Sequence, residues 1–173
     1  GTTWTAENCR YPVRKTQENR DDRTRPANII ITCTDNTRSR LELWRFLKKY
    51  REASVNNERA VYYWMDFGNA QTTGQVFIGT VRNKIRQPAS KEFMPVPGMN
   101  VITEEVNYST IEEKDSGPSC SLAEALERQD LYINSILAQV GCDILWKMFK
   151  EGRTLYRGAY INLDTLRVNP IPV

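Results

Sequence analysis

The amino-acid sequence predicts an α/β fold in which helices pack against a β-sheet. Residues 29–31 are three consecutive isoleucines, a β-branched run typical of a strand buried on both faces in a parallel sheet. Apolar residues at helical spacing follow from Leu41 to about Tyr50. Further apolar runs bounded by turn residues come next, and this alternation of strands with helices favours a layered α/β arrangement.

Other segments complete the prediction. Residues 82–118 are rich in proline, glycine and charge, and we interpret them as a flexible crossover loop, because loops of this length are usually functional or mobile. The remaining predictions are a strand at 2–13, a polar surface segment at 15–25, strands at 60–66 and 75–81, a long helix from Ser121 to Gly152, and a final β-hairpin formed by 155–161 and 166–171.

Composition limits the possible functions. The chain has 173 residues, 40% hydrophobic and 26% charged, with a net charge of +3, which suits a single globular domain spanning 1–173. Basic residues are scattered, so a nucleic-acid partner is not expected, and no apolar run is long enough for a membrane span. The four cysteines are widely separated and histidine is absent. We therefore expect no structural zinc and no Ser-His or Cys-His catalytic couple.

Cys120 is a candidate nucleophile. Ser121 and Glu124 have the spacing of a capping box, so Cys120 is predicted to precede a helix directly. The partial positive charge at a helix start lowers a thiol pKa and favours the thiolate. On position alone, a loop cysteine without a role is an equally good interpretation.

Asp35 is a candidate ligand. It follows a predicted parallel strand, and ligands of open α/β sheets bind beyond the carboxyl ends of such strands. An aspartate at this point also serves well as a helix N-cap, and on position alone the cap is favoured.

The other cysteines and aromatic residues are predicted mainly to pack. Cys33 lies in a predicted strand and Cys142 in an apolar helix, so both are expected in the core. Core packing is also expected for the cluster that contains Trp64. For Trp146 and Phe149, a dimer interface and the core remain equally open.

Two stretches resemble the ThiF/MoeB family, the relatives of ubiquitin-activating enzymes. Residues 31–36 read Ile-Thr-Cys-Thr-Asp-Asn with Arg40 one turn later, similar to that family's Cys-Thr-Asp-Asn-x-x-x-Arg motif. Residues 64–69 and 74–76 resemble its next strand pair. Residues 118–122 resemble the segment that bears the thioester cysteine in its larger members. Residues 119–131 and 168–173 look most like the PRTRC-system ThiF proteins, which plasmid or mobile-element cassettes encode.

The resemblance also has a gap. Family members carry a Gly-x-Gly-Gly-x-Gly phosphate loop, and no such run occurs in this sequence. Backbone amides of such a loop hold phosphate against a helix N-terminus. The sequence is therefore interpreted as the C-terminal portion of a Rossmann-like ThiF/MoeB fold, a three-layer mixed sheet with a C-terminal hairpin. We expect the fragment alone to be inactive.

The resemblance implies an enzyme that uses ATP and Mg²⁺ to adenylate the C-terminal glycine of a ubiquitin-like or sulfur-carrier protein. By that resemblance, Asp35, Asn36 and Arg40 bind the Mg-nucleotide, and Cys120 accepts the acyl group as a thioester. A helix-surface arginine that pairs with a nearby acid is at least as good an interpretation of Arg40. A homodimer in the bacterial cytoplasm is also implied. The alternative function is a non-catalytic docking or dimerisation module for a ubiquitin-like partner.

Overall fold

The computed structural model describes residues 27–34, 36–51, 61–108 and 129–173. These residues form an open five-stranded mixed sheet with helices on both faces, which confirms the α/β prediction at that level. The predicted segments at 2–13 and 15–25 lie outside the described residues. The strands are β1 (Ile29–Cys33), β2 (Tyr63–Asn69), β3 (Thr73–Thr80), β4 (Tyr156–Asn162) and β5 (Arg167–Pro172); the helices are α1 (Thr37–Leu47, extended by a 3₁₀ turn at Lys48–Tyr50), α2 (Ile102–Glu105) and α3 (Ile133–Glu151).

The sheet has the order β1-β2-β3-β4-β5, so neighbours in sequence are neighbours in space. Only β1 and β2 are parallel, joined across α1, and every other pair is antiparallel. The predicted C-terminal hairpin is confirmed as β4 and β5. Because β1 and β2 point the same way, their carboxyl ends meet at one edge of the sheet, next to the start of α1.

The α1 face of the sheet is covered by α1 and α2. Trp64 of β2 packs against Trp44 of α1, with ring centroids 6.1 Å apart. Leu47 and Phe77 lie in the same buried cluster. The prediction that the aromatic cluster containing Trp64 belongs to the core is confirmed for that residue, which is 1% exposed.

The α3 face is covered by the long helix. Met65 and Val76 pack with Ile144, while Leu137 packs with Ile161 nearer the start of the helix. Helix α3 ends at Gly152, which has φ of 67°. This is the left-handed conformation of a helix C-cap, and the predicted end of the helix is confirmed.

The start of the long helix differs from the prediction. A continuous helix from Ser121 was expected, but residues 129–132 form a bend and a turn, and α3 begins at Ile133. The Asp130 carboxylate accepts a hydrogen bond from the amide of Tyr132, and the Asp130 amide donates to the carbonyl of Gln71. An Asx-type turn has therefore replaced the helical bonds at this point. Residues 121–128 lie outside the described part.

Part of the predicted crossover segment packs on the sheet. The amide of Thr80 donates to the carbonyl of Met99, and that of Ile85 donates to Pro97. Val101 and Ile102 are almost fully buried in the α1-face cluster. The structure thus anchors residues 99–102, while 109–118 lie outside the described residues and the crossover to Cys120 stays a prediction.

Three burial predictions are wrong. Ile31 is 52% exposed, because β1 lies at an edge and α3 reaches over β2, β3 and β4. Cys33 is exposed at the end of the same strand. Cys142 is also exposed, since its neighbour Gly141 faces the sheet and successive helical residues are rotated by about 100°.

Exposed aromatic residues occur on α3. Trp146 is 60% exposed and Phe149 72%, so neither belongs to the core of this chain. The predicted homodimer interface remains a prediction. No helix in the described part of the chain is both long enough and apolar enough to cross a bilayer.

Candidate functional site

A polar cavity of about 570 Å³ opens where the parallel strands end. It lies between the first turns of α1, the β2–β3 turn, the end of β4 and the first half of β5. This is the location at which the carboxyl-end rule for α/β sheets predicts a ligand site. Its lining residues are Thr37, Arg40, Gly68, Asn69, Ala70, Thr73, Gly74, Gln75, Tyr108, Tyr160, Ile161, Asn162 and Asn169.

A row of directly paired residues crosses four strands beside this cavity. Gly68 pairs with Gln75, Gln75 with Tyr160, and Tyr160 with Asn169. Directly opposed residues lie on the same face of a sheet. The row therefore presents two carboxamides and a phenol, while Gly68 adds no side chain. A Cβ at Gly68 would lie 2.9 Å from Nη2 of Arg40, so glycine permits the close approach of that guanidinium.

Arg40 is buried beside this row and is only 6% exposed. Its Nε donates to the Asp66 carboxylate at 2.8 Å. Its Nη2 donates to the carbonyls of Thr34 and Phe67, at 2.7 and 3.0 Å. Arg40 thus fastens α1 to the ends of both parallel strands. Of the two roles considered for it, pairing with an acid is observed, although the pair is buried and not on the helix surface.

Asp66 also accepts a hydrogen bond from a residue other than Arg40 in the same network. Thr32 donates to its other carboxylate oxygen at 2.7 Å, and the indole of Trp64 donates to Thr32 at 2.8 Å. Burial raises the pKa of Asp66. The positive charge of Arg40 opposes that rise, as do the hydrogen bonds that the carboxylate accepts from Thr32 and Arg40. No pattern in the sequence marks Asp66, because its partner lies 26 residues away on another element.

Asn36 serves as the N-cap of α1. Its side-chain oxygen accepts a hydrogen bond from the amide of Ser39 at 2.8 Å, and its backbone is extended. This contact satisfies an amide that the helix itself leaves without a partner. Asp35 and Cys120 lie outside the described residues, so their predicted roles stay predictions.

Tyr108 was not predicted as a site residue. It follows α2, lines the cavity, and is 8% exposed. Its hydroxyl has no hydrogen-bond partner of good geometry in the described part of the chain, although the Gln75 side chain is near enough to influence it. No pattern in the sequence marks this residue, because its burial follows from the packing of residues 99–108 on the sheet.

The cavity is close to electrically neutral. Among the described residues that line it, Arg40 alone is charged, and Asp66 compensates that charge at 2.8 Å. The other polar groups are carboxamides and hydroxyls, which both donate and accept hydrogen bonds. Such a lining complements peptide groups better than it complements phosphate. In the described ranges, no group of three or more aspartate, glutamate, histidine or cysteine residues could hold a metal ion.

Cys33 and Cys142 do not contribute to this cavity. Partial burial and the nearby Asp66 carboxylate raise the pKa of Cys33, with Arg40 opposing, and a raised pKa disfavours the reactive thiolate. Comparison with known proteins adds nothing to this geometry: no protein-family model matches the chain, and no curated protein matches it.

Proposed function

We propose that this chain belongs to an ATP-dependent activating enzyme of the ThiF/MoeB type, and that it is the part that binds the C-terminal tail of the protein substrate. In this proposal the polar cavity receives the C-terminal tail of a ubiquitin-like or sulfur-carrier protein. The terminal glycine is adenylated there with Mg-ATP. The nucleotide loop that the sequence lacks is supplied from outside it, and Cys120 takes the acyl group.

The observation that carries the proposal is the neutral, carboxamide-lined cavity at the ends of β1 and β2. Gln75 and Asn169 belong to one row across the sheet, and each can donate to and accept from a main-chain peptide group. Gly68 allows the Arg40 guanidinium and the Gln75 carboxamide to lie close against β2, which places both donors at this point of the cavity wall. Asn36 caps α1 beside the same edge of the sheet.

Binding of the tail is tested with a blocked hexapeptide that ends in Gly-Gly. We expect the full chain to bind it in isothermal titration, and the amide exchange of Gly68 and Gln75 to slow on binding. A matched hexapeptide that ends in Leu-Leu is the control, since its bulky apolar side chains do not complement a wall of carboxamides and hydroxyls. Equal binding of the two peptides, or binding of neither, contradicts the proposal.

Acyl transfer is tested separately with the same peptide as an alkyl thioester. The Cys120 thiolate attacks the glycine carbonyl, the bond to the leaving thiol breaks, and that thiol departs as a thiolate that takes up a proton. We expect one adduct by intact mass, removed by excess thiol and absent in Cys120→Ala. Cys33→Ala and Cys142→Ala are matched controls that should keep the adduct, because both thiols are exposed but neither residue lines the cavity.

The docking module is the second candidate, and one observation favours it. Asp66 already neutralises Arg40, so the described cavity offers no uncompensated cation to a phosphate. With Mg-ATP and the free-acid peptide, pyrophosphate release measures adenylation. Peptide binding without adduct or pyrophosphate, even when a glycine-rich nucleotide domain is added, would leave docking as the function.

A further inference from the structure

The Tyr108 hydroxyl has an unusual position for a buried polar group. The side chain is 8% exposed, and its oxygen has no hydrogen-bond partner of good geometry among the residues the structure describes, although the Gln75 side chain is near. A buried hydroxyl without a partner costs about 1–3 kcal/mol, so nearly all such groups are paired in native proteins. An unpaired one at the wall of a polar cavity is readily explained if a ligand supplies the partner.

The surroundings of Tyr108 define the chemistry of that partner. Burial raises the pKa of Tyr108, so the phenol is protonated at neutral pH and can donate. Arg40 and Gln75 are also donors on the same cavity. Because Asp66 compensates Arg40, the position offers several donors and little net charge. An uncharged oxygen acceptor fits these conditions better than a phosphate does.

We propose that Tyr108 is a specificity-determining residue that donates a hydrogen bond to a main-chain carbonyl of the bound tail. This inference rests on the proposed function. It adds that the tail is recognised through its backbone and not through its terminal charge. A tail whose backbone cannot reach Tyr108 leaves the hydroxyl unpaired and is therefore rejected.

The test uses the blocked Gly-Gly hexapeptide in two forms, with a free carboxylate and with a terminal amide. We expect the full chain to bind both with affinities within about threefold, and inorganic pyrophosphate not to compete. Tyr108→Phe removes only the hydroxyl, and we expect it to weaken binding of both peptides about three- to tenfold, the equivalent of one hydrogen bond. The melting temperature of this variant should stay the same or rise, because an unpaired buried group is lost.

Tyr132→Phe is the matched control. Tyr132 is 63% exposed before α3 and does not line the cavity, so its variant should bind like the original chain. If the original chain binds and Tyr108→Phe binds equally well, this inference is wrong and the proposed function stands. If a lowered melting temperature accompanies the weaker binding, Tyr108 is structural and the inference also fails. If the original chain binds neither peptide, both proposals fail.

Discussion

The two faces of the sheet are built from the same strands but differ in chemistry. On the α3 face, Met65, Val76 and Ile78 pack against apolar residues of one helix. A second cavity on that face, about 280 Å³, lies among largely apolar side chains between α3 and the β4–β5 hairpin. On the α1 face, the apolar cluster stops at Asp66, and beyond it the polar row and the 570 Å³ cavity begin.

This difference between the faces indicates that a functional site is to be sought on the α1 face. Apolar packing is the cheapest way to cover a sheet, and the α3 face shows that these strands can be covered in that way. A buried ion pair contributes little net stability compared with apolar residues of similar volume. The α1 face nevertheless carries Arg40, Asp66 and an unpaired Tyr108 hydroxyl close together. Polar groups in this position, at the ends of parallel strands, are what the proposed binding of a peptide tail requires.

The largest expected effect comes from breaking the polar network. Asp66→Ala leaves the Arg40 guanidinium buried without its carboxylate and removes the acceptor of Thr32. We expect the free energy of unfolding to fall by about 3–5 kcal/mol, measured by urea denaturation. The matched control is Asp143→Ala, which breaks the exposed pair with Lys147 on α3 and should change stability little. Equal effects of the two variants on the free energy of unfolding would show that the buried ion pair matters no more to stability than the exposed one.

A smaller effect is expected from overpacking the α3 face. A Cβ at Gly141 would overlap the ring of Phe67 and lie 3.2 Å from a methyl of Val76. We expect Gly141→Ala to reduce the free energy of unfolding by about 1–3 kcal/mol, despite alanine's better helix propensity. In a Phe67→Leu background the same change should cost much less, because the clash is gone.

The control for that prediction lies one turn earlier on the same helix. Ala138 is exposed, so Ala138→Gly measures the propensity difference alone, which should be about 1 kcal/mol. A stabilised Gly141→Ala variant would mean that α3 does not approach β2 as closely as described.

The smallest effect concerns pH. The pKa of Asp66 is raised above its ordinary 3.8, chiefly by burial, so the folded chain binds this proton more tightly than the unfolded chain. Stability contributed by this group therefore decreases as pH rises from about 3.8 through the raised pKa. Relative to Asp66→Asn, the original chain should gain stability on acidification through that window, measured by urea denaturation at a series of pH values. A relative loss would show that the attraction of Arg40 outweighs burial.

The sequence predicted those elements whose signals are local. The isoleucine run of β1, the glycine at the end of α3 and the turn residues of the C-terminal hairpin each act through neighbours in the chain, and these predictions are confirmed. The long helix predicted to run without a break from Ser121 is interrupted at 129–132, because Asp130 competes for the backbone and its amide contacts Gln71, which is distant in sequence. Of the predicted site residues, Arg40 lines the described cavity and Asn36 caps the helix that forms one of its walls.

The sequence by itself determined the layered α/β class, most element positions and the edge of the sheet at which a ligand is expected. Only the tertiary structure decided that Arg40 is neutralised by Asp66, that Gly68, Gln75, Tyr160 and Asn169 form one row, and that Tyr108 lines the cavity. The physical reason is that periodicity and caps report a residue's immediate neighbours. Charge compensation and burial instead depend on strand register and packing, which bring together residues that the chain separates.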